Sequence, residues 1–168
     1  MILIQTAKIE QFPAIAQLNI EAYRQYSDRL SPENRTTLQT NLRSVEKVAE
    51  RAVFLIAMLS DELVASVAYC SSGNSLAPIP SDWASVLLLA VSPHHRRQGI
   101  ARALLRVCID RATQDKAKTI GLFTSELMTD ATQLYLSVGF ERDCEIPPRL
   151  GLYYWRYKLD LSALESSV

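Results

Sequence analysis

The stretch that decides the fold is residues 91–105, which read VSPHHRRQGIARALL. Residues 86–91 form an unbroken apolar run, which is typical of a strand covered on both faces. After a basic loop, apolar residues recur at helical spacing and predict a helix over residues 99–112. The stretch is therefore predicted to pass from a buried strand, through a basic loop, directly into a helix.

This loop has the composition of an anion-binding site. The first N–H groups of a helix have no intrahelical partner, and the helix dipole adds partial positive charge there. Gly99 permits a ligand to approach the backbone closely, and Arg96, Arg97 and Arg102 surround the expected amides. A phosphate group is the natural occupant of such a site.

Two common nucleotide motifs do not fit the loop. The dinucleotide fingerprint requires G-x-G-x-x-G, of which only Gly99 is present, and the G-K-[ST] of a P-loop is absent. A nucleotide-hydrolysing enzyme would also need an acidic metal motif, and none is seen. His94 and His95 have no acid or cysteine near them in sequence, so we interpret them as loop surface and predict no metal site.

What the loop does match is Arg-x-x-Gly-x-Ala after a strand that ends in Val-x-Pro. Here the chain resembles the GNAT N-acetyltransferase superfamily, whose R/Q-x-x-G-x-G/A loop holds the pyrophosphate of acetyl-CoA. Residues 131–140, ATQLYLSVGF, look like the A-x-x-L-Y-x-x-x-G-F helix of that family. The resemblance covers residues 83–142 well, and it covers the first 80 residues only through the order of their elements.

The resemblance implies acetyl-CoA as a cosubstrate and gives roles to particular residues. The pantetheine arm is expected along the buried strand, where a local bulge would free backbone groups from the sheet ladder. Backbone amides of residues 97–102 are expected to cradle the pyrophosphate. The predicted cofactor-binding residues are Leu89, Ala90, Val91, Arg96, Arg97, Gln98, Gly99, Ile100, Ala101 and Arg102.

Tyr135 is the predicted catalytic residue. A free thiol has a pKa near 8.5, so a phenol within hydrogen-bond distance can stabilise or protonate the leaving sulfur. Tyr135 resembles the tyrosine that does this in the family. The simpler alternative is a core side chain, because Tyr135 shares its predicted helix with Leu134 and Val138.

The expected base is missing. An alkyl ammonium with a pKa near 10.4 is neutral at pH 7 about once in 2,500, a handicap of roughly 4.6 kcal/mol. Many relatives carry a Glu or Asp on the fourth strand, whereas Ser85, Leu87 and Leu89 stand here. Met128 also stands where many relatives have an asparagine that contacts the cofactor arm. The remaining base candidates are a water chain or one of Glu21, Asp82, Glu126 and Asp130.

Length and composition limit the alternatives. The 168 residues suit a single domain over residues 1–168, and 48% of them are hydrophobic. The 18 basic and 18 acidic residues balance, which argues against a nucleic-acid partner. No apolar run reaches the roughly 18 residues of a membrane span, and three dispersed cysteines predict no disulfide framework. We expect a cytoplasmic protein that acts as a monomer or homodimer.

The whole chain predicts the order β-α-α-β-β-β-α-β-α-β-β. This is an α/β fold with a mixed central sheet of about six to seven strands, flanked by about four helices, as in GNAT acyl-CoA N-acyltransferases. One helix is expected to begin at the capping Ser31 and to continue its apolar stripe to Ala49. Residues 60–62 predict a tight hairpin connection, Gly139 a helix end, and residues 165–168 a loose tail.

The predicted activity is acetyl transfer from acetyl-CoA to a primary amine of a small molecule or peptide, by direct attack in a ternary complex. The alternative is an acyl-CoA-binding sensor or partner module without turnover, which the missing strand acid favours and Tyr135 opposes. Residues 22–35, 70–83 and 147–154 are expected to form the acceptor pocket. Their aromatic residues could cage an amine or simply pack, so the acceptor stays open: Tyr23, Tyr26, Trp83, Tyr153, Tyr154 and the adjacent Trp155.

Overall fold

The computed structural model describes residues 1–162, so the predicted tail at residues 165–168 lies outside the described residues. It confirms the α/β fold, with a seven-stranded mixed sheet in the order β1-β2-β3-β4-β5-β7-β6. The elements are, along the chain, β1 Ile2–Thr6, α1 Phe12–Ser27, α2 Pro32–Arg43, α3 Val45–Ala49, β2 Val53–Leu59, β3 Glu62–Cys70, β4 Ala84–Val91, α4 Ile100–Gln114, β5 Thr119–Ser125, α5 Thr129–Val138, β6 Glu141–Arg149 and β7 Leu152–Asp160.

The described residues contain five α-helices rather than about four, because the helix that begins after Ser31 is interrupted. Ser31 caps α2 as predicted, with its hydroxyl accepting from the Asn34 N–H. The helix stops at Ser44, whose hydroxyl donates to the Thr40 carbonyl at 2.7 Å and whose backbone leaves the helical region. The apolar stripe then resumes in α3.

The chain divides into two compact units, and the first comprises residues 1–69 and 87–106. Here β1, β2 and β3 form antiparallel pairs. The predicted hairpin is confirmed: Ser60 and Asp61 both have positive φ, which suits the twist of a two-residue connection. Side chains of α1, α3, β2 and β3 make one core cluster: Ile15, Val45, Phe54, Ile56 and Ala68.

The second unit comprises residues 70–86 and 107–168, described as far as residue 162. The start of β4 pairs in parallel with β5, at Ala84 with Ile120 and Ser85 with Gly121. Antiparallel β7 lies between β5 and β6. The helix α5 ends at Gly139, as predicted, with a φ of 121°.

Arg156 of β7 contacts the segment that precedes β4, residues 78–83. Its guanidinium pairs with the Asp143 carboxylate at 2.6 Å and donates to the Pro78 carbonyl at 2.8 Å. It also stacks over the Trp83 ring, 4.9 Å from the centroid. The Trp83 ring in turn lies on Gly121, where an added Cβ would come within 2.7 Å of it. Glycine at this position of β5 is therefore what lets the indole lie against the strand.

Among residues 1–162, none of the helices combines the length and apolar character that crossing a bilayer requires.

Candidate active site

The strand β4 carries a backbone irregularity at the position where the cofactor arm was expected. Leu88 has a φ of 55°, in the left-handed region that branched residues rarely adopt. Leu87 and Leu88 pack against the core cluster of the first unit, so burial holds this conformation. Leu88 thus places a left-handed residue next to Leu89, on the strand where a bulge was expected.

Helix α1 covers the end of β4. The Tyr23 hydroxyl donates a hydrogen bond to the Leu89 carbonyl at 3.1 Å. Leu18 and Ala22 pack against Ala90, with Tyr23 beside them. A carbonyl oxygen can accept two hydrogen bonds, so the bond from Tyr23 alone does not saturate the Leu89 carbonyl. Sequence reasoning placed Tyr23 only in an acceptor pocket and missed this contact with the predicted cofactor strand.

The loop after β4 contains two residues in the left-handed region. A short 3-10 turn, Pro93–His95, leads into two residues with positive φ, Arg97 at 61° and Gly99 at 79°. No described atom lies within 4 Å of the position that a Cβ on Gly99 would take. The backbone conformation, and not close packing, therefore demands glycine there.

The loop opens directly into α4, as predicted. The Ala103 N–H donates to the Gly99 carbonyl at 3.0 Å, so Gly99 is the first residue to accept a helical hydrogen bond. Ile100 is buried and fixes the first turn, whereas Gln98 is exposed and Ala101 is half-buried. The expected amide donors thus lie on a rigid helix start.

The three arginines of the loop have different surroundings. The side chain of Arg96 is bonded to α1: its guanidinium donates to the Gln25 Oε1 at 2.9 Å and to the Ala22 carbonyl at 2.8 Å. Arg97 is exposed, and Arg102 is half-buried on α4. Arg96 was predicted as a cofactor-binding residue, and in the structure its side chain is occupied by α1.

The two histidines also differ from each other. His94 is exposed, as its interpretation as loop surface requires. His95 is half-buried, and its Nδ1 is shielded from solvent without a hydrogen-bond partner among the described residues. The interpretation of His95 as loop surface was therefore too simple.

Tyr135 lies in the second unit, on the buried side of α5. It is 6% exposed, and its ring meets that of Phe140 edge to face with centroids 6.1 Å apart. The N–H groups of Gly139 and Phe140 both donate to its carbonyl. The motif residues Gly139 and Phe140 therefore fix the backbone and the ring of the predicted catalytic tyrosine.

The positions that many relatives use for a base are apolar or already bonded. Ser85 is buried and its hydroxyl lies 2.6 Å from that of Ser75. Of the other candidates, Glu21 is exposed on α1 and accepts from Gln17. The remaining three are also exposed: Asp82, Glu126 and Asp130. Met128 is half-buried and caps the start of α5.

Comparison with known proteins defines the class. Residues 12–140 match the model of the acetyltransferase (GNAT) family, and the chain belongs to that family. N-acetyltransferase 8F1 of Mus musculus is 32% identical over 108 residues, which cover 62% of this chain and 48% of that protein. The chain spans less than half the length of the curated relatives it matches.

Solved structures show the same fold. The PaiA N-acetyltransferase of Thermoplasma acidophilum, in complex with coenzyme A, superposes with a TM-score of 0.75 at 16% identity, over 93% of this chain and 98% of that one. The protein YncA of Salmonella typhimurium, solved with acetyl-CoA, has a TM-score of 0.67 at 16% identity, over 96% of this chain and 94% of the other. The fold of this chain is thus one already seen in solved structures.

Proposed function

We propose that this chain is an acetyl-CoA-dependent N-acetyltransferase. It transfers acetyl to a primary amine of a small molecule or peptide by direct attack in a ternary complex. The observation that carries the proposal is the continuity from left-handed Leu88 in β4, through the positive-φ loop, to the start of α4. Family membership and the CoA complexes of similar folds support it. The proposal treats residues 1–168 as one catalytic domain.

Backbone groups bind the cofactor in this proposal. Leu89 and Val91, on either side of Ala90, meet the amides of the pantetheine arm beside the left-handed Leu88. The N–H groups of residues 97–102 meet the pyrophosphate, where the start of α4 also contributes partial positive charge. Such donors are fixed before the ligand arrives, so little ordering is needed on binding.

The three arginines of the loop have two different roles in this proposal. Arg97 and Arg102 supply positive charge beside the phosphates, which strengthens the hydrogen bonds of the loop. Arg96 holds the loop in place through its hydrogen bonds to Ala22 and Gln25 of α1. It is a positioning residue in this proposal, although the family motif alone suggested a direct contact.

The reaction forms one C–N bond and breaks one C–S bond. The neutral amine attacks the thioester carbonyl carbon, and the tetrahedral intermediate expels the CoA sulfur. Tyr135 donates its phenolic proton to that sulfur and recovers a proton from the ammonium through water. Because Ser85, Leu87 and Leu89 offer no base, deprotonation falls to solvent, and the rate rises with pH until the amine is neutral.

A sensor that binds acyl-CoA without turnover is the second candidate. The observation in its favour is that Ser85, at a position where many relatives carry an acid, is hydrogen-bonded to Ser75 and offers no base. Both candidates predict CoA binding, so binding alone does not separate them.

The deciding experiment follows thiol release from acetyl-CoA over a panel of amines between pH 7 and pH 9.5, beside calorimetric titration of CoA. Amine-dependent release that tracks the neutral fraction of the amine supports the transferase. Tight CoA binding without release on any amine supports the sensor. A chain that binds no CoA would overturn both. The expectations of a monomer or homodimer, and of no nucleic-acid partner, remain predictions.

A further inference from the structure

An arginine at the end of β6 lies against an aromatic pair. The Cζ atom of Arg149 is 4.9 Å from the ring centroid of Phe123, on β5. The rings of Phe123 and Tyr154 are tilted by 54° with centroids 6.2 Å apart. Arg149 is exposed, whereas Phe123 and Tyr154 are half-buried. All three belong to the second unit, and together they are named the Arg149 cluster.

The guanidinium of this cluster lacks the partners that its counterparts have. Arg156, stacked on Trp83, is paired with Asp143 at 2.6 Å. Arg142, stacked 4.7 Å from the Trp155 ring, donates to the Tyr157 hydroxyl. Of these three ring-stacked arginines, Arg149 is the one with neither a carboxylate nor a hydrogen-bond acceptor among residues 1–162.

The backbone beside Arg149 is held in one conformation. Leu150 and Gly151 form the hairpin connection with φ values of 56° and 74°, and Arg149 pairs with Leu152 across it. A two-residue connection of this kind fixes the register of the strands that it joins. The guanidinium is therefore presented from a defined position, and one face of it is already desolvated by Phe123.

Electrostatics agree with this geometry. Burial raises the pKa of Tyr154, and the positive charge of Arg149 partly opposes that rise. The phenol therefore stays neutral through physiological pH and keeps its proton as a donor. Arg149 is thus close enough to act electrostatically on Tyr154 as well as on Phe123.

We infer that the Arg149 cluster binds the carboxylate and the apolar side chain of the acceptor, so that the acceptor is a small amine of the amino-acid type. The planar guanidinium can donate two parallel hydrogen bonds to a carboxylate. The rings of Phe123 and Tyr154 offer an apolar surface to the adjacent side chain. This inference rests on the proposed function and names the substrate class of the same reaction.

The first test compares L-phenylalanine with L-phenylalaninamide as acceptors. These differ in the carboxylate but also in amine pKa, so the informative quantity is the acid-to-amide ratio of kcat/KM in each variant. Arg149→Gln should lower this ratio by about tenfold or more, as expected for losing a charge-assisted hydrogen bond. Arg149→Lys, which keeps the charge but not the planar fork, should fall between.

Arg142→Gln is the matched control. It removes a ring-stacked arginine from the same strand. Phe123 pairs with Arg156 in the β5–β7 ladder, so the two side chains lie on the same face of the sheet. Trp155 is the neighbour of Arg156 on β7, so its side chain lies on the opposite face. Arg142 stacks on Trp155 and therefore belongs to that opposite face. This control should leave the acid-to-amide ratio unchanged. An equal effect of both variants would overturn the inference.

The second test needs no turnover. N-acetyl-L-phenylalanine and its amide both lack an ionisable amine, and calorimetry with CoA present measures the binding of each. Binding of the acid that exceeds that of the amide, and that Arg149→Gln removes, supports the cluster as a carboxylate site. Acetylation of neutral amines without any preference for the acid would overturn the inference and leave the proposed function standing. Loss of CoA affinity in Arg149→Gln would overturn it too, because the arginine would then serve the cofactor.

Discussion

The guanidinium of Arg96 and the side-chain amide of Gln25 are joined by a hydrogen bond of 2.9 Å between residues 71 positions apart. A second bond from the same guanidinium reaches the Ala22 carbonyl. The loop that is proposed to bind the pyrophosphate is thereby tied to α1, the helix whose Tyr23 also donates to the Leu89 carbonyl. One turn of α1 therefore supports both elements that are proposed to hold the cofactor.

This anchor gives a first prediction. Arg96→Gln and Gln25→Ala should each weaken CoA binding several-fold, because each removes an exposed hydrogen bond that ties the loop to α1, and such a bond contributes on the order of 1 kcal/mol. The double variant should be no worse than Arg96→Gln alone, since both changes break one interaction. Titration calorimetry on the four proteins completes the cycle. Additive losses would mean that Arg96 meets the ligand itself.

Salt dependence separates the two neighbouring arginines. Arg97→Gln, with the same change in charge, should flatten the fall of CoA affinity with rising salt, because it removes a charge that faces the phosphates. Arg96→Gln should leave the slope as it is in the unmodified chain. The reverse pattern would exchange the proposed roles of Arg96 and Arg97.

A second prediction concerns Gly99. Gly99→Glu should abolish measurable CoA binding, because it places a carboxylate beside the phosphates and strains a backbone with a φ of 79°. Gly99→Ala tests the strain alone and should destabilise the chain by about 1–2 kcal/mol. Both variants should keep the fold, since the surroundings of the glycine are open. Circular dichroism checks the fold, and unchanged affinity in Gly99→Glu would remove the phosphate assignment.

The third prediction addresses Tyr135. Tyr135→Phe should lower kcat on the order of a hundredfold, the range of general acid catalysis, with little change in CoA affinity. The ring still packs on Phe140, so the variant removes the hydroxyl only. Steady-state kinetics and calorimetry measure the two quantities separately. Equal losses in both would show that the tyrosine contributes through packing.

Burial of Cys108 gives a pH-dependent prediction. Desolvation raises the pKa of this thiol to about 12, with Arg111 opposing the rise. The unfolded chain ionises its thiol near the ordinary value of 9.0, so stability is fully present below that pH and falls above it. At pH 10 the loss should be about 1.4 kcal/mol. Urea unfolding between pH 8 and pH 10 should therefore be less pH-dependent in Cys108→Ala, and an identical dependence would contradict the burial effect.

The local parts of the fold could be predicted from the sequence. The strand, loop and helix around Gly99 follow one another along the chain, so their periodicity and turn residues are visible without tertiary contacts. The capping by Ser31, the hairpin at Ser60 and the helix end at Gly139 are local in the same way. The family resemblance implied a bulge in β4, and the structure places a left-handed residue, Leu88, in that strand.

Other features depend on contacts that no short window contains. The break at Ser44 falls inside an otherwise regular apolar stripe, so the periodicity of the sequence does not reveal it. The direction of the Arg96 side chain depends on α1, and the stacking of Arg149 on Phe123 joins different strands. Tertiary packing sets these two contacts. For this reason, the sequence motif could not show whether Arg96 binds a phosphate or holds the loop against α1.

The indole of Trp83, resting on Gly121 beneath the Arg156 guanidinium, has a spectroscopic consequence. The chain has two tryptophans, and the other, Trp155, lies on β7 of the same compact unit. Intrinsic tryptophan emission is therefore a signal of the second unit alone. Tryptophan fluorescence therefore reports on the unfolding of the second unit and carries no direct signal from the helices and the loop of the first unit.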